Sequence, residues 1–276
     1  MTESASAQNP RVSIVMAAYN EERDIEKAIE SIITQTFTDW ELIIVDDGSS
    51  DNTVSLIQGF AEQDSRIKLV CNESNQELSA SLNIGVGLAK ADLIARADAD
   101  DINLPNRLAK QVEFMDANPD VDVLGTAAYL LDAEGRRVNA VVYPQSHAEL
   151  TELSFVKNHF FHPSVIIRRR FFETAGLYDP GYPNAEDKEI WLRGLQAGCK
   201  YANLPDPLIE YSTDGFVKSW RSIRKHALSL FRMAKKLEVK RGYAMALLLS
   251  AYTAAIKLKL YSPRSLRMGP SARQVE

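Results

Sequence analysis

The sequence predicts an α/β protein with a parallel sheet covered by helices on both faces, and three observations carry the prediction. Apolar runs of strand length recur at residues 12–18, 40–45, 67–71 and 93–97, and none alternates as a strand with one wet face would. A single stretch of helical periodicity separates each run from the next, the arrangement that right-handed crossovers between parallel strands produce. Every run also leads into polar residues: Tyr19-Asn20-Glu21 after the first, Asp46-Asp47-Gly48-Ser49 after the second, Asn75 after the third and Asp98-Ala99-Asp100-Asp101 after the fourth. Four loops therefore carry polar side chains to the C-terminal edge of the sheet, where such sheets bind ligands.

Taken in order, the first helix shows Ile25, Ala28, Ile29, Ile32 and Ile33 on one face, and the second carries Val54, Leu56, Ile57 and Phe60 behind Ser50 or Asp51 as a cap. A third helix is expected over 78–89, and a fourth begins near Leu104 and Pro105 and continues over 108–118. Beyond Arg107 the pattern changes. A strand at 121–131 meets a hairpin turn at Asp132-Ala133-Glu134-Gly135 and a second strand at 138–143, which predicts antiparallel pairing. Phe160-Phe161-His162-Pro163 precedes a strand at 164–167 and a short basic helix at 168–175 closed by Gly176. The turn-rich loop 177–184, with Asp179-Pro180-Gly181 and Tyr182-Pro183, reads as a substrate lid ahead of a helix that starts at Glu186. Strands at 201–204 and 208–211 complete the sheet. Finally, Trp220, Ile223, Ala227, Leu230, Ala234 and Leu237 recur at helical spacing among Arg and Lys, and the uncharged run 243–256 either packs on the body or lies at an interface.

With 276 residues, 45% hydrophobic and 25% charged, the chain has the composition of an ordinary folded protein. It contains no apolar run of the ~18 residues that a membrane span needs. Residues 1–10 hold neither a basic cluster nor an apolar block, so we expect a disordered tail rather than a targeting signal. Cys71 and Cys199 lie in strand-like sequence and read as buried thiols of a reducing compartment, which favours the cytoplasm. The net charge of −5 hides a division: residues 217–276 carry fourteen Lys plus Arg against two acids, a balance of +12, and the preceding residues carry −17. A basic tail is drawn to anionic surfaces, while the acidic bulk repels a nucleic-acid backbone and no nucleic-acid module is present. The expected contact is a peripheral one, with the cytoplasmic face of a membrane.

Three carboxylates within four residues, Asp98, Asp100 and Asp101, repel one another unless a hard cation sits between them, and oxygen ligands are what Mg²⁺ or Mn²⁺ prefers. Substrate phosphates commonly complete such a site, so a nucleoside diphosphate is the expected ligand. A solvated helix cap is the alternative. A calcium loop is excluded, since it needs glycine where Asn103 stands and glutamate where Ala109 stands. Asp46 and Asp47, at the end of an apolar strand, require partners such as a base N–H and a ribose hydroxyl. Glu186 and Asp187 open a helix and serve either its dipole or as a general base toward an incoming hydroxyl. His162 reads as structural or as a donor behind the site; His147, His159 and His226 lack zinc-ligand spacing. There is no GxxxxGK[ST] loop, no GxSxG elbow and no GxGxxG after the first strand.

Together these stretches resemble the family 2 glycosyltransferases, inverting enzymes of the GT-A fold, a Rossmann-like mixed sheet with helices on both faces. The likeness rests on Val12-Ser13-Ile14-Val15 with Ala18-Tyr19-Asn20, on Asp46 to Asp51, on the Asp-X-Asp motif Asp98-Ala99-Asp100 with Asp101, Pro105 and Arg107, on His162-Pro163-Ser164 with Arg168-Arg169, and on Glu186-Asp187 ahead of Ile190-Trp191-Leu192-Arg193. It implies a catalytic domain at 11–215, with a nucleotide-sugar half at 11–107 and an acceptor half at 108–215, followed by a basic helical segment at 216–276. It further implies that Ala18, Tyr19, Asn20, Glu21, Asp46, Asp47 and Asn75 hold the nucleoside. Asp98 and Ala99 would lie against the ribose and sugar, Asp100 would bind Mg²⁺ or Mn²⁺, and Asp187 would be the catalytic base. The implied partners are a nucleotide sugar and a glycan or lipid-linked acceptor. The family commonly has glycine where Glu77 stands and an arginine near Ser81. Absence of a QxxRW signature and of membrane spans implies transfer of one sugar, or a few, rather than extrusion of a polymer. Two other readings are a non-catalytic sugar-nucleotide-binding scaffold and a sugar nucleotidyltransferase, and the latter needs a Gly-rich basic loop that 17–23 does not provide.

Overall fold

The computed structural model describes residues 9–132, 134–152, 159–212, 228–229 and 232–233. Its centre is a nine-stranded sheet of order β3-β2-β1-β4-β8-β6-β9-β5, with β7 paired to β6. The strands are β1 Val12–Ala18, β2 Trp40–Asp46, β3 Ile67–Cys71, β4 Leu93–Asp98, β5 Ile102–Asn103, β6 Val123–Leu131, β7 Arg137–Val141, β8 Ile166–Arg168 and β9 Tyr201–Ser212. The helices are α1 Ile25–Ile33, α2 Thr53–Gln63, α3 Leu78–Leu88, α4 Arg107–Ala117, α5 His147–Glu152, α6 Arg169–Ala175 and α7 Glu186–Gln196. The first four strands pair in parallel, as expected, and β8 joins β4 antiparallel, which begins the mixed half.

Continuous apolar strands follow from burial on both faces. Ile14, Met16, Leu42 and Ile44 face one core layer, while Val15, Ile43 and Val45 face another that also contains Phe171, Ile190 and Trp191. Each such side chain contributes about 1.5–3 kcal/mol when taken from water, so a one-residue slip of β1 or β2 is strongly opposed.

Several expected elements are corrected. The expected strand at 164–167 begins later, because Pro163 sits in a 3₁₀ turn, His162–Ser164, that precedes β8. The two strands expected at 201–204 and 208–211 are one, β9, and its register against β6 shifts beside Pro205 and Pro207, which have no N–H for the ladder. Between Asp101 and α4 lies the unforeseen β5, whose pairing with Ile209 and Glu210 fastens the acidic loop to the far half of the sheet. Cys71, expected buried, is exposed at the end of the edge strand β3, whereas Cys199 is buried in the turn after α7.

Residues 1–8 of the tail expected at 1–10, and most of the C-terminal segment, lie outside the described residues. Within that segment Ser229 and Met233 are each 1% exposed, while the apolar seam read from sequence at Trp220, Ile223, Ala227, Leu230, Ala234 and Leu237 lies outside the described residues. Ser229 Oγ donates to the Pro183 carbonyl at 3.0 Å, and Arg232 donates to the Gly181 carbonyl at 3.0 Å. No helix among the described residues is long and apolar enough to cross a membrane.

Candidate active site

Parallel register brings the loops to one level. Ala18 lies opposite Asp46 and Ala17 opposite Asp98, so β1, β2 and β4 end together at one rim. The loops after β1 and β2 are stitched to each other. Asn20, at φ 56°, donates its N–H to Ser49 Oγ at 2.9 Å and accepts the Ser50 N–H on Oδ1 at 2.8 Å, and the Glu21 N–H reaches Thr53 Oγ1 at 2.8 Å. Asp46 is 1% exposed and spends its carboxylate on the same turn, accepting the N–H groups of Gly48 and Ser49 at 3.1 and 3.0 Å and the Ser49 hydroxyl. Gly48 is required there: its φ is +76°, and a side-chain carbon would come within 2.9 Å of the Ser74 backbone. Asp47 orders the next loop by accepting Asn72 Nδ2 at 2.8 Å and the Gln76 N–H at 2.9 Å. Asn75 accepts the Glu77 N–H at 3.1 Å, and Glu77 takes φ 69° as α3 begins. That left-handed turn is why glycine suits this position.

After β4 the carboxylates behave differently. Asp98, Asp100 and Asp101 each offer an oxygen within 4.8 Å of the others. Burial, and then the charge of Asp98, push Asp100 up to about 6. Burial, with Asp98 and Asp100, lifts Asp101 well above the usual carboxylate range. Asp101 Oδ1 accepts the Ser212 N–H at 2.8 Å, but its buried Oδ2 has no hydrogen-bond partner. Glu21 is likewise pushed up to about 7, first by burial and then by Asp100 and Asp98. An all-oxygen donor set with one buried oxygen unanswered fits a hard divalent cation such as Mg²⁺ or Mn²⁺.

The loops enclose a hollow of about 380 Å³. Of the residues singled out from sequence, Ala18, Tyr19, Glu21, Asp47, Asn75, Asp98, Ala99 and Asp100 line it. Asn20, Asp46 and Asp187 do not: Asn20 is occupied in joining two loops, Asp46 in closing its own turn, and of the adjacent pair Glu186 and Asp187 only the first lines the hollow. Residues of the lining that sequence reasoning did not assign to a site are Ala17, Glu77, Leu78 and Ser79, whereas Glu186 was read with Asp187 as a possible base and Pro183 and Asn184 belong to the loop read as a lid. For Pro183 and Asn184 the signal was the turn-rich loop 177–184. For Leu78 and Ser79 it was their place at the start of α3, below Asn75.

Asp187 stands in the first turn of α7 and accepts the Lys188 N–H at 2.6 Å. Its charge bears on two hydroxyls of the second half: Tyr143 is pushed up to about 12 by burial and then by Asp187, and burial raises Tyr178 with Asp187 and Glu186 contributing. His162 Nε2 meets Tyr178 Oη at 2.9 Å, and burial, with Arg96 nearby, holds the imidazole neutral. Arg107, read as part of a motif, proves to be a fastener. Its guanidinium serves Gln111, Asn103 and the carbonyls of Arg96 and Val165, and so holds the end of β4.

Comparison with known proteins bears on this geometry. The model of the family described as "Glycosyl transferase family 2" matches residues 13–175. The chain is 33% identical to the putative glycosyltransferase EpsE of Bacillus subtilis, over 83% of this chain and 84% of that one. It is 31% identical to the O-antigen biosynthesis glycosyltransferase WbnJ of Escherichia coli, over 81% and 85%. Among solved structures, S. aureus TarS in complex with UDP-GlcNAc aligns with a TM-score of 0.68 at 17% identity, covering 92% of this chain and 74% of that one. The mannosyltransferase PcManGT from Pyrobaculum calidifontis, in complex with GDP-Man and Mn²⁺, aligns with a TM-score of 0.63 at 20% identity, covering 94% and 78%. These neighbours share the curled mixed sheet, and the GT-A fold expected from sequence stands.

Proposed function

The chain belongs to glycosyl transferase family 2, and from that premise we propose that it moves a single sugar, with inversion, from a nucleoside-diphosphate donor to a hydroxyl acceptor in the making of a cell-surface polysaccharide, O-antigen or glycolipid. The observation that carries the proposal is the hollow at the sheet edge, lined both by Asp47 and Asn75 from the loops after β2 and β3 and by Asp98 and Asp100 at the end of β4, across β1 in the strand order. The names of relatives support the substrate class: WbnJ is an O-antigen glycosyltransferase, and the TarS and PcManGT complexes hold UDP-GlcNAc and GDP-Man. The exposed ring of Tyr19 offers a face for a nucleobase, and Asp47 and Asn75 offer polar atoms for the nucleoside.

Asp100, with Asp98 and Asp101, would hold Mg²⁺ or Mn²⁺, which when bound neutralises charge growing on the departing diphosphate. The acceptor enters from the half that holds Tyr143, Tyr178 and His162. Asp187 takes the proton of its hydroxyl while that oxygen bonds to the anomeric carbon; the bond from that carbon to the diphosphate oxygen breaks on the opposite face, and configuration inverts. The basic charge of residues 217–276 supports work at the anionic, cytoplasmic face of a membrane, next to a lipid-linked or glycan acceptor.

One observation favours a second assignment of the base. Glu186 lines the hollow and Asp187 does not. The test is to screen UDP-, GDP-, dTDP- and CMP-sugars with MnCl₂ by thermal shift, and then to measure transfer by Asp187→Asn and Glu186→Gln in parallel. Asp187→Asn is expected to lose roughly 10²-fold or more with an unchanged unfolding temperature, while Glu186→Gln loses far less. Wild-type rates in a folded Asp187→Asn protein remove it as the base, and the reverse pattern transfers the role to Glu186. Binding of donors without any hydrolysis or transfer favours a non-catalytic scaffold.

A further inference from the structure

Arg96 lies on β4 two residues before Asp98, and therefore on the same face of the sheet. Its side chain is 5% exposed and forms an ion pair with Asp98 through Nη2, while Nε and Nη1 are buried without a hydrogen-bond partner. A guanidinium carries five donors in a fixed fork, and burying one with two nitrogens unanswered is costly. An apolar side chain of similar length would fill the space without that penalty. What an apolar side chain lacks is charge. Beyond its pair with Asp98, the charge of Arg96 bears on Asp100 and Asp101 as well, and so on all three carboxylates whose oxygens gather within 4.8 Å. On its other sides stand Tyr178 and His162, which bond to each other, and Arg107, whose donors are spent elsewhere. None of these draws the positive charge away from the acids.

We propose that Arg96 is an internal counter-cation for the acidic cluster. Paired with Asp98, it lets three carboxylates gather before any divalent ion arrives, and it keeps that ion weakly bound until a diphosphate adds negative charge. Ion and donor then bind together rather than in sequence. The proposal rests on the reading of Asp98, Asp100 and Asp101 as a metal site. It goes beyond that reading by giving a role to a residue that does not line the hollow.

The experiment titrates MnCl₂ into the full chain, and into Arg96→Met and Arg96→Lys, with and without UDP or GDP, followed by calorimetry and thermal unfolding. In metal-free buffer Arg96→Met is expected to unfold roughly 8 °C below wild type, because a buried pair has lost one partner. Saturating MnCl₂ should return most of that loss. Without nucleotide, Mn²⁺ should bind Arg96→Met about tenfold more tightly than wild type, since a neighbouring like charge is gone. Arg96→Lys keeps the charge and should stay within about threefold of wild type, which separates charge from packing. A stability loss that MnCl₂ does not return overturns the proposal and leaves Arg96 a packing residue, as does unchanged or weaker Mn²⁺ binding in Arg96→Met. If the wild type binds no Mn²⁺ even with UDP or GDP, the metal reading falls and takes the counter-cation with it. A failure confined to the variants leaves the metal reading standing.

Discussion

After β2 and after β4 the chain does the same thing in sequence, running from buried apolar residues into a cluster of acids, and the two loops use those acids in opposite ways. In the loop after β2 the acids are answered by hydrogen-bond donors of their own turn and of the two neighbouring loops. Asp46 accepts from Gly48 and Ser49, Asp47 from Asn72 and Gln76, and Asp51 from Thr53 and Glu22. Burial pushes the Asp51 carboxyl up, but the Thr53 hydroxyl and amide hold it below the usual range. In the loop after β4 the acids press on one another. Asp100 and Asp101 are raised, and one Asp101 oxygen meets no hydrogen. Backbone N–H groups make a stable turn out of carboxylates; a cluster of three that such donors answer only in part gains from a cation beside it. The first loop is scaffold and the second is poised for a ligand.

The comparison breaks most visibly in catalysis. Asp100→Asn should lower transfer by roughly 10²- to 10³-fold, measured as initial rate at saturating MnCl₂, because it removes a proposed ligand of the charge-neutralising ion. Asp46→Asn should leave more than a tenth of the rate, since its carboxylate turns away from the hollow; a loss as deep as that of Asp100→Asn would erase the distinction between the loops. Stability should invert the order. Asp46→Ala strands two N–H groups and a hydroxyl and should cost about 1–3 kcal/mol in denaturant unfolding. Asp100→Asn should instead raise the metal-free unfolding temperature by about 2–4 °C at pH 7.5, because one of three repelling charges is gone.

The smallest effect concerns pH and has a definite sign. Asp100 has a folded value of about 6 against 3.8 for a free side chain, so the stability associated with its proton is full below about 4 and is lost as pH rises through 6. The advantage of Asp100→Asn over wild type should therefore fade as pH is lowered from 7.5 to 5, in unfolding scans without metal. An advantage that is constant across this range would mean that Asp100 does not carry the strain.

Much of this site was legible in the chain because its signals are local. Apolar runs at 12–18 and 93–97, and polar residues straight after them, are enough to place Tyr19, Glu21, Asp98 and Asp100 at one rim. Other features depended on partners that no local pattern names. Asp46 and Asp47 are adjacent and alike in sequence, yet one closes its own turn and the other reaches the hollow. Glu186 and Asp187 are adjacent too, and helical rotation by one residue puts only the first at the wall. Arg96 read as part of an apolar strand, and only its pairing across the face of the sheet set it apart.

Local pattern was enough for the strand and helix succession of the first half, the edge at which the loops meet and the family, since periodicity and short connections act over a few residues. Which carboxylates are satisfied is settled by the folded chain. Hydrogen bonding and desolvation depend on groups remote in the chain, as when the N–H of Ser212 reaches across 111 residues to one oxygen of Asp101 and leaves the other bare.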